Sequence, residues 1–155
     1  MSTILNFKQS QEYEKALEIL DELYEKNPNS EIIIKNLIDV LFSYGLHLND
    51  ELVQQYNEAA QCFKRILEID QQNYRALYNL GITYFNLDMF DEALASYDEA
   101  LKLKPDYEHV YYNKGLIFEL SDRFNEALEL YKKALEINPR FVYARQAEKD
   151  LKERL

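Results

Sequence analysis

The sequence predicts an all-α chain in which antiparallel helix pairs stack into a solenoid. Three observations point there. YNLG at 78–81 is echoed by YNKG at 112–115, which puts Gly81 and Gly115 at the same place in two copies of one string. Apolar residues recur at spacings of three and four, the period of one helix face. Only three Gly and three Pro punctuate 155 residues, too few for the tight turns of an all-β chain.

The units are clearest in their second halves: YEKALEILDELYEKNP (13–28), YNEAAQCFKRILEIDQ (56–71), FDEALASYDEALKLKP (90–105) and FNEALELYKKALEINP (124–139). The steps from Tyr56 to Phe90 and from Phe90 to Phe124 equal the step from Gly81 to Gly115, whereas the step from Tyr13 to Tyr56 is longer. Each segment opens on an aromatic followed three residues later by Ala16, Ala59, Ala93 or Ala127. Four further on stand Leu20, Phe63, Tyr97 and Tyr131, so one apolar stripe runs down each helix. Asn57, Asp91 and Asn125 lie near the helix starts, where they are expected to cap free amides. Pro28, Pro105 and Pro139 end the helices, because proline cannot donate and pushes its predecessor out of helical geometry. A leading helix is expected before each of the last three segments, centred on 31–45, 74–87 and 108–121.

In chain order this gives a truncated first repeat (1–28), a second (31–73), a third (74–107), a fourth (108–141) and a capping helix (142–155). The first keeps only about nine residues for its leading helix, a marginal length. It is expected to leave an apolar edge of Tyr13, Leu17 and Leu20, open to swapping or dimerisation. The second carries about nine extra residues, LHLNDELVQ (46–54). Leu52, Tyr56, Ala59, Phe63 and Ile66 keep helical spacing. The insertion therefore reads as a short loop plus an N-terminal extension of the second helix, capped by Asn49 or Asp50. In the cap, Phe141, Ala144, Ala147 and Leu151 are expected to face inward, with Arg145, Glu148, Lys149 and Lys152 in water.

Eighteen basic and 28 acidic residues give a formal charge of −10. No Lys/Arg cluster exceeds a pair, so nucleic acid and anionic membranes are disfavoured as partners and basic or neutral ones fit better. No apolar run is long enough to span a membrane, and MSTILNFKQS lacks the pattern of a secretory signal. A single cysteine, Cys62, makes no internal disulfide and reads as a buried structural thiol in a reducing compartment, the cytoplasm. Nothing looks catalytic. His47 and His109 have no metal-ligand spacing, phosphate-binding loops and GxSxG are absent, and the carboxylates alternate with lysines on solvated helix faces. No enzyme, cofactor or metal is expected.

The residues at 74–141 resemble the tetratricopeptide repeat (TPR) family, whose unit of about 34 residues carries a bulky residue, Leu-Gly, Tyr, Ala, an aromatic, Ala and Pro at fixed offsets. Leu77, Leu80, Gly81, Tyr84, Ala93, Tyr97, Ala100 and Pro105 match in one unit. Tyr111, Gly115, Phe118, Ala127, Tyr131, Ala134 and Pro139 match in the next. Lys114 departs from the family's Leu, and the second unit has Ile38 in the glycine slot and Gln71 in the proline slot. Phe7 takes the aromatic slot of the first.

The resemblance implies a right-handed superhelix whose leading helices line a concave groove that binds a peptide or helix of a partner. By the family's geometry the groove presents Lys35 and Asn36 from the second unit. It presents Arg75, Tyr78, Asn79, Ile82 and Phe85 from the third, and His109, Tyr112, Asn113 and Leu116 from the fourth. Asn36, Asn79 and Asn113 all stand two before the glycine slot and are expected to form a row that pairs with a peptide backbone. The carboxylate grip of chaperone-binding relatives is poorly met. Lys35 and Asn79 fit, but Asp39, His109 and Asn113 stand where an amide and two cations belong. Starting one unit earlier, Met1 and Leu5 fail while Asn36 and Arg75 fit. The expected function is a protein-interaction scaffold or adaptor. The alternative is a self-associating assembly component or the regulatory piece of a larger protein.

Overall fold

The computed structural model of the chain describes residues 12–50 and 52–155, and these form helices and turns with no strand. Phe7, Met1 and Leu5 lie outside the described residues. The helices are α1 (Tyr13–Lys26), α2 (Glu31–Leu48), α3 (Tyr56–Ile69), α4 (Tyr74–Asn86), α5 (Phe90–Leu103), α6 (Glu108–Leu120), α7 (Phe124–Ile137) and α8 (Val142–Arg154). Each packs on its chain neighbour, and α4 also touches α6. The even-numbered helices thus lie side by side as one layer and the odd-numbered ones form the other: an all-α superhelix.

Alanines set the spacing. Ala16, Ala59, Ala93 and Ala127 are fully buried, as are Ala100 and Ala134, so paired helices approach without a side chain between them. The filler is aromatic: Phe63, Tyr97 and Tyr131 are at most 1% exposed, and burying each such ring stabilises the fold by about 2–3 kcal/mol. Each ring abuts a glycine of the preceding helix: Phe63 on Gly45, Tyr97 on Gly81, Tyr131 on Gly115. Gly45 therefore occupies the glycine slot of the second unit, in place of Ile38.

That register relocates the extra residues. α2 starts at Glu31, two turns further ahead of its glycine than Tyr74 of α4 and Glu108 of α6 stand ahead of theirs. The stretch from Gly45 to Tyr56 is longer by two than the matching stretches from Gly81 to Phe90 and from Gly115 to Phe124. The insertion is thus two added turns at the start of α2 plus two residues in the following turn, and α3 carries no N-terminal extension. Asn49 caps the C-terminus of α2, and the Asp50 carboxylate accepts from the Leu52 N–H at 2.9 Å. Leu52 is 96% exposed, so it belongs to no helical stripe.

The turn inside each unit also works without the expected caps. Asn57, Asp91 and Asn125 are second residues of their helices, and the N-cap positions Gln55, Met89 and Arg123 make no side-chain cap bond. Among the described helices only Asn73 caps in this way, accepting from the Ala76 N–H at 3.1 Å. The turns instead pass through a left-handed residue: Gln54 (φ 52°), Asp88 (φ 58°) and Asp122 (φ 57°). That geometry aims the Met89 N–H at the Tyr84 carbonyl and the Arg123 N–H at the Phe118 carbonyl, both at 2.9 Å, closing the C-termini of α4 and α6.

At the N-terminal end, Tyr13 and Leu20 are 8% and 1% exposed. Tyr13 stacks on Tyr44 of α2 at 5.1 Å, so the anticipated apolar edge is covered by the chain's own next helix. At the other end α8 buries Phe141, Ala144 and Leu151.

Candidate functional site

The inner layer of α2, α4, α6 and α8 is knitted by two rows of contacts that recur with the repeat. In the first, the residue three before each glycine slot is covered by the residue six before the next. The Arg75 guanidinium lies 4.7 Å over the Phe42 ring, His109 is 6.3 Å from Tyr78, and Tyr143 is 6.2 Å from Tyr112. In the second, positions four and five past the slot meet: Asn86 Nδ2 donates to Asn49 Oδ1 at 3.3 Å, and Arg154 pairs with Glu119 at 2.5 Å.

Aromatic packing holds the middle of this face. Tyr78 sits 4.8 Å from Tyr107, and His109 sits 4.7 Å from Phe141, which in turn meets Tyr112. Burial pushes the Tyr78 hydroxyl up to about 12, because a phenolate there would be cut off from water. Tyr78 and Tyr112 are therefore packed as much as presented.

The asparagines do not form one row. Asn79 and Asn113 hold equivalent places, but the residue two before Gly45 is Ser43. Asn36 and Lys35 lie two turns further back, on the part of α2 that overhangs the start of α4. Asn36 Nδ2 donates to the Ile32 carbonyl at 2.6 Å. Asn79 is only 9% exposed, and its amide donates to the Arg75 carbonyl at 2.8 Å. Asn113 reaches the Tyr78 hydroxyl at 3.3 Å. With Gly45 as the slot, Phe42 and Leu46 replace Lys35 and Asp39 in the carboxylate-grip pattern, which removes its cation.

Apolar side chains also stay wholly or partly open along this face. Leu46, Ile82 and Leu116 each stand one past a glycine slot, and Phe85 and Leu120 extend the strip; Leu46 is 44% and Leu120 62% exposed. At its α2 end the strip runs into a depression of about 420 Å³ lined by Ile38, Asp39, Phe42, Ser43, Leu46, Asn73 and Arg75. Leu46 and Tyr143 went unnoticed in the sequence. Leu46 follows once Gly45 is taken as the slot, a step that the Phe63 spacing allows if the turn is granted two residues of slack, and Tyr143 follows from carrying the repeat one step past Gly115.

Lys114 lays its stem against the fold with the side chain 15% exposed and pairs with Asp98, the behaviour of a snorkelling lysine. Cys62 is buried and its thiol is pushed up to about 11 by burial. No group of three or more His, Cys, Asp or Glu among the described residues is placed to hold a metal ion. No helix among them is long and apolar enough to cross a membrane.

A tetratricopeptide repeat model matches residues 74–107 and 110–141, a TPR repeat model 54–88, and a second tetratricopeptide repeat model 4–30. No curated protein matches the chain. Among solved structures, MamA superposes with a TM-score of 0.76 at 23% identity, over 99% of this chain and 84% of MamA. The first TPR of Spaghetti (RPAP3), bound to an HSP90 peptide, gives 0.68 at 23% identity over 75% of this chain and 90% of its own. YrrB, described as a TPR protein with an unusual peptide-binding site, gives 0.67 at 20% identity over 96% and 90%. At these identities the likeness is one of fold.

Proposed function

Because the chain belongs to the tetratricopeptide repeat family, whose folds serve in general as non-catalytic protein-interaction modules, we propose that it receives a segment of a partner protein on the inner face of α2, α4 and α6. In that reading it acts as a scaffold or adaptor in the cytoplasm, with repeats at 1–28, 31–73, 74–107 and 108–141 and a cap at 142–155. The observation that carries it is the strip Leu46, Ile82, Phe85, Leu116 and Leu120. It places one or two apolar side chains per repeat along a surface where Leu46 and Leu120 stand open to water. A partly exposed apolar row rimmed by polar residues, here open at Leu46 and Leu120 and half-buried at Ile82, Phe85 and Leu116, suits a partner site. Two structures of like fold, the RPAP3 domain and YrrB, are described with a bound peptide and a peptide-binding site, which supports the same use here. Self-association through Tyr13, Leu17 and Leu20 has no such support, since Tyr13 and Leu20 are covered.

The test is selection of displayed random 20-residue peptides on the wild-type chain, followed by binding to the Leu46→Glu/Leu120→Glu variant. Both substitutions are at exposed positions, so helical circular dichroism should be retained. Enriched peptides should lose at least tenfold in affinity on the variant. Peptides that bind both proteins equally, or no enrichment at all, would overturn the proposal.

A further inference from the structure

The outer layer, α1, α3, α5 and α7, carries a charge pattern of its own. The ninth and tenth residues of these helices are Asp21 and Glu22, Lys64 and Arg65, Asp98 and Glu99, and Lys132 and Lys133. The sign of both residues therefore reverses from each outer helix to the next. One contact shows what the reversal does. Asp21 of α1 pairs with Arg65 of α3, joining the ninth residue of one outer helix to the tenth of its neighbour. The equivalent pairs further on are Lys64 with Glu99 and Asp98 with Lys133, and each again unites opposite charges.

Those two pairs are open. Lys64 Nζ lies 5.4 Å over the Tyr84 ring and Lys133 Nζ 5.1 Å over the Tyr111 ring. Glu99 pairs with Lys102 of its own helix, and Asp98 with Lys114 of α6. The depressions along the outer layer differ accordingly. The one lined by Leu17, Leu41, Cys62 and Arg65 holds about 280 Å³. Its counterpart one repeat on, lined by Leu77, Ser96 and Glu99, holds about 760 Å³. The next, lined by Leu130 and Lys133, holds about 360 Å³. The smallest is the one whose ion pair is made.

The present partners leave closure within reach. A carboxylate has two oxygens, so Asp98 can keep Lys114 and accept Lys133 as well. The exposed pair of Glu99 with Lys102 contributes little, and both Lys64 and Lys133 sit on flexible stems. Drawing the outer helices together over the inner layer would rotate each repeat on the next, flatten the curve of the superhelix and widen its inner face.

We propose that these pairs are clasps between successive outer helices. The α1–α3 clasp is closed, the α3–α5 and α5–α7 clasps are open, and their closure tunes the curvature of the solenoid with ionic strength.

Spin labels test this by double electron–electron resonance. Labels on Asn57→Cys with Asp91→Cys report the α3–α5 spacing, and labels on Asp91→Cys with Asn125→Cys the α5–α7 spacing. All three positions are exposed, and Cys62→Ala removes the native thiol. Lowering salt from about 500 mM to about 20 mM lengthens screening from about 4 Å to about 20 Å, and both spacings should shorten by about 2 Å or more. Lys64→Glu, which sets like charges at the α3–α5 clasp, should abolish the shortening there and leave α5–α7 as it was. The exchange Lys64→Glu/Glu99→Lys should restore it.

Spacings that ignore salt would overturn the proposal, as would shortening that survives Lys64→Glu or that the exchange fails to restore. Urea midpoints at low salt give a second readout without labels. A double-mutant cycle of Lys64→Ala with Glu99→Ala should show coupling of the same sign as Asp21→Ala with Arg65→Ala. Coupling in the α1–α3 pair and none between Lys64 and Glu99 would also refute the α3–α5 clasp.

Discussion

The Tyr97 ring lies so close to Gly81 that a Cβ added there would come within 2.4 Å of Cε1. Tyr131 stands in the same relation to Gly115, also at 2.4 Å, and Phe63 to Gly45 at 2.8 Å. Alanine gains about 1 kcal/mol over glycine in a helix, but here its methyl must displace a ring that is 1% exposed or less. Overpacking of that kind costs typically about 1–3 kcal/mol. Gly81→Ala and Gly115→Ala should therefore destabilise by up to about 2 kcal/mol net in urea unfolding, and Gly45→Ala by less. Shortening the ring, as in Gly81→Ala/Tyr97→Leu, should recover part of the Gly81→Ala loss in a double-mutant cycle. Strict additivity of the two changes would contradict the close approach.

Asp88 and Asp122 take left-handed backbone, a region that aspartate tolerates and glycine occupies without strain. Asp88→Gly and Asp122→Gly should be neutral or stabilising by up to about 1 kcal/mol. Asp88→Val, with its branched side chain, should cost about 1–2 kcal/mol. Thermal midpoints of the three variants check the order, and a valine as stable as the glycine would refute it.

The third and fourth repeats were legible because their glycine, aromatic and alanine positions recur at one fixed shift. The second was not, because its nine extra residues are split across the glycine. Seven precede Gly45 and two follow, so counting back from Phe63 by the regular spacing lands on His47, and the string KNLI at 35–38, an echo of YNLG, points to Ile38 instead. The error then propagated: Asn36 looked like a member of the asparagine row, and Leu46 was read as part of the insertion and not of the groove. The left-handed turns were invisible for another reason, since an aspartate after a helix reads as any polar loop residue. The fate of Asn79 is a tertiary matter too. Its residue type fits a binding row, but only packing shows that its amide is turned back onto its own helix.

Alkaline titration probes the buried aromatic layer. Burial is the leading cause that pushes the Tyr97 and Tyr131 hydroxyls well above the ordinary tyrosine range, Tyr78 to about 12 and the Cys62 thiol to about 11. Tyr131 additionally donates to Glu119 at 2.8 Å. These are acids whose folded values exceed their unfolded ones, so the unfolded chain releases its protons first. The stability they lend is fully present below pH 9, the start set by the thiol's ordinary 9.0. It is lost progressively as pH rises past the ordinary tyrosine value of 10.0 toward about 12. Thermal midpoints should be flat from about pH 7 to 9 with respect to these groups and fall steeply above 10. Tyrosine absorbance at 295 nm should show a late group of side chains ionising together with the loss of helical signal. A single titration near pH 10 with helix retained would be the contrary result.

The corrected register makes Asn36 and Asn113 separable. Asn113 bridges α6 to α4 through the Tyr78 hydroxyl, a bond between helices that are far apart in sequence. Asn36 serves the Ile32 carbonyl one turn back, which the helix already occupies as an acceptor, and alanine is the better helix former there. Asn113→Ala should cost about 0.5–1.5 kcal/mol in urea unfolding, and Asn36→Ala should stay within about 0.5 kcal/mol of wild type. Tyr78→Phe removes the same hydroxyl, so Asn113→Ala should add little on top of it, while Asn36→Ala should be additive with it. If both asparagines instead belonged to one equivalent row, their substitutions would match in magnitude and neither would couple to Tyr78.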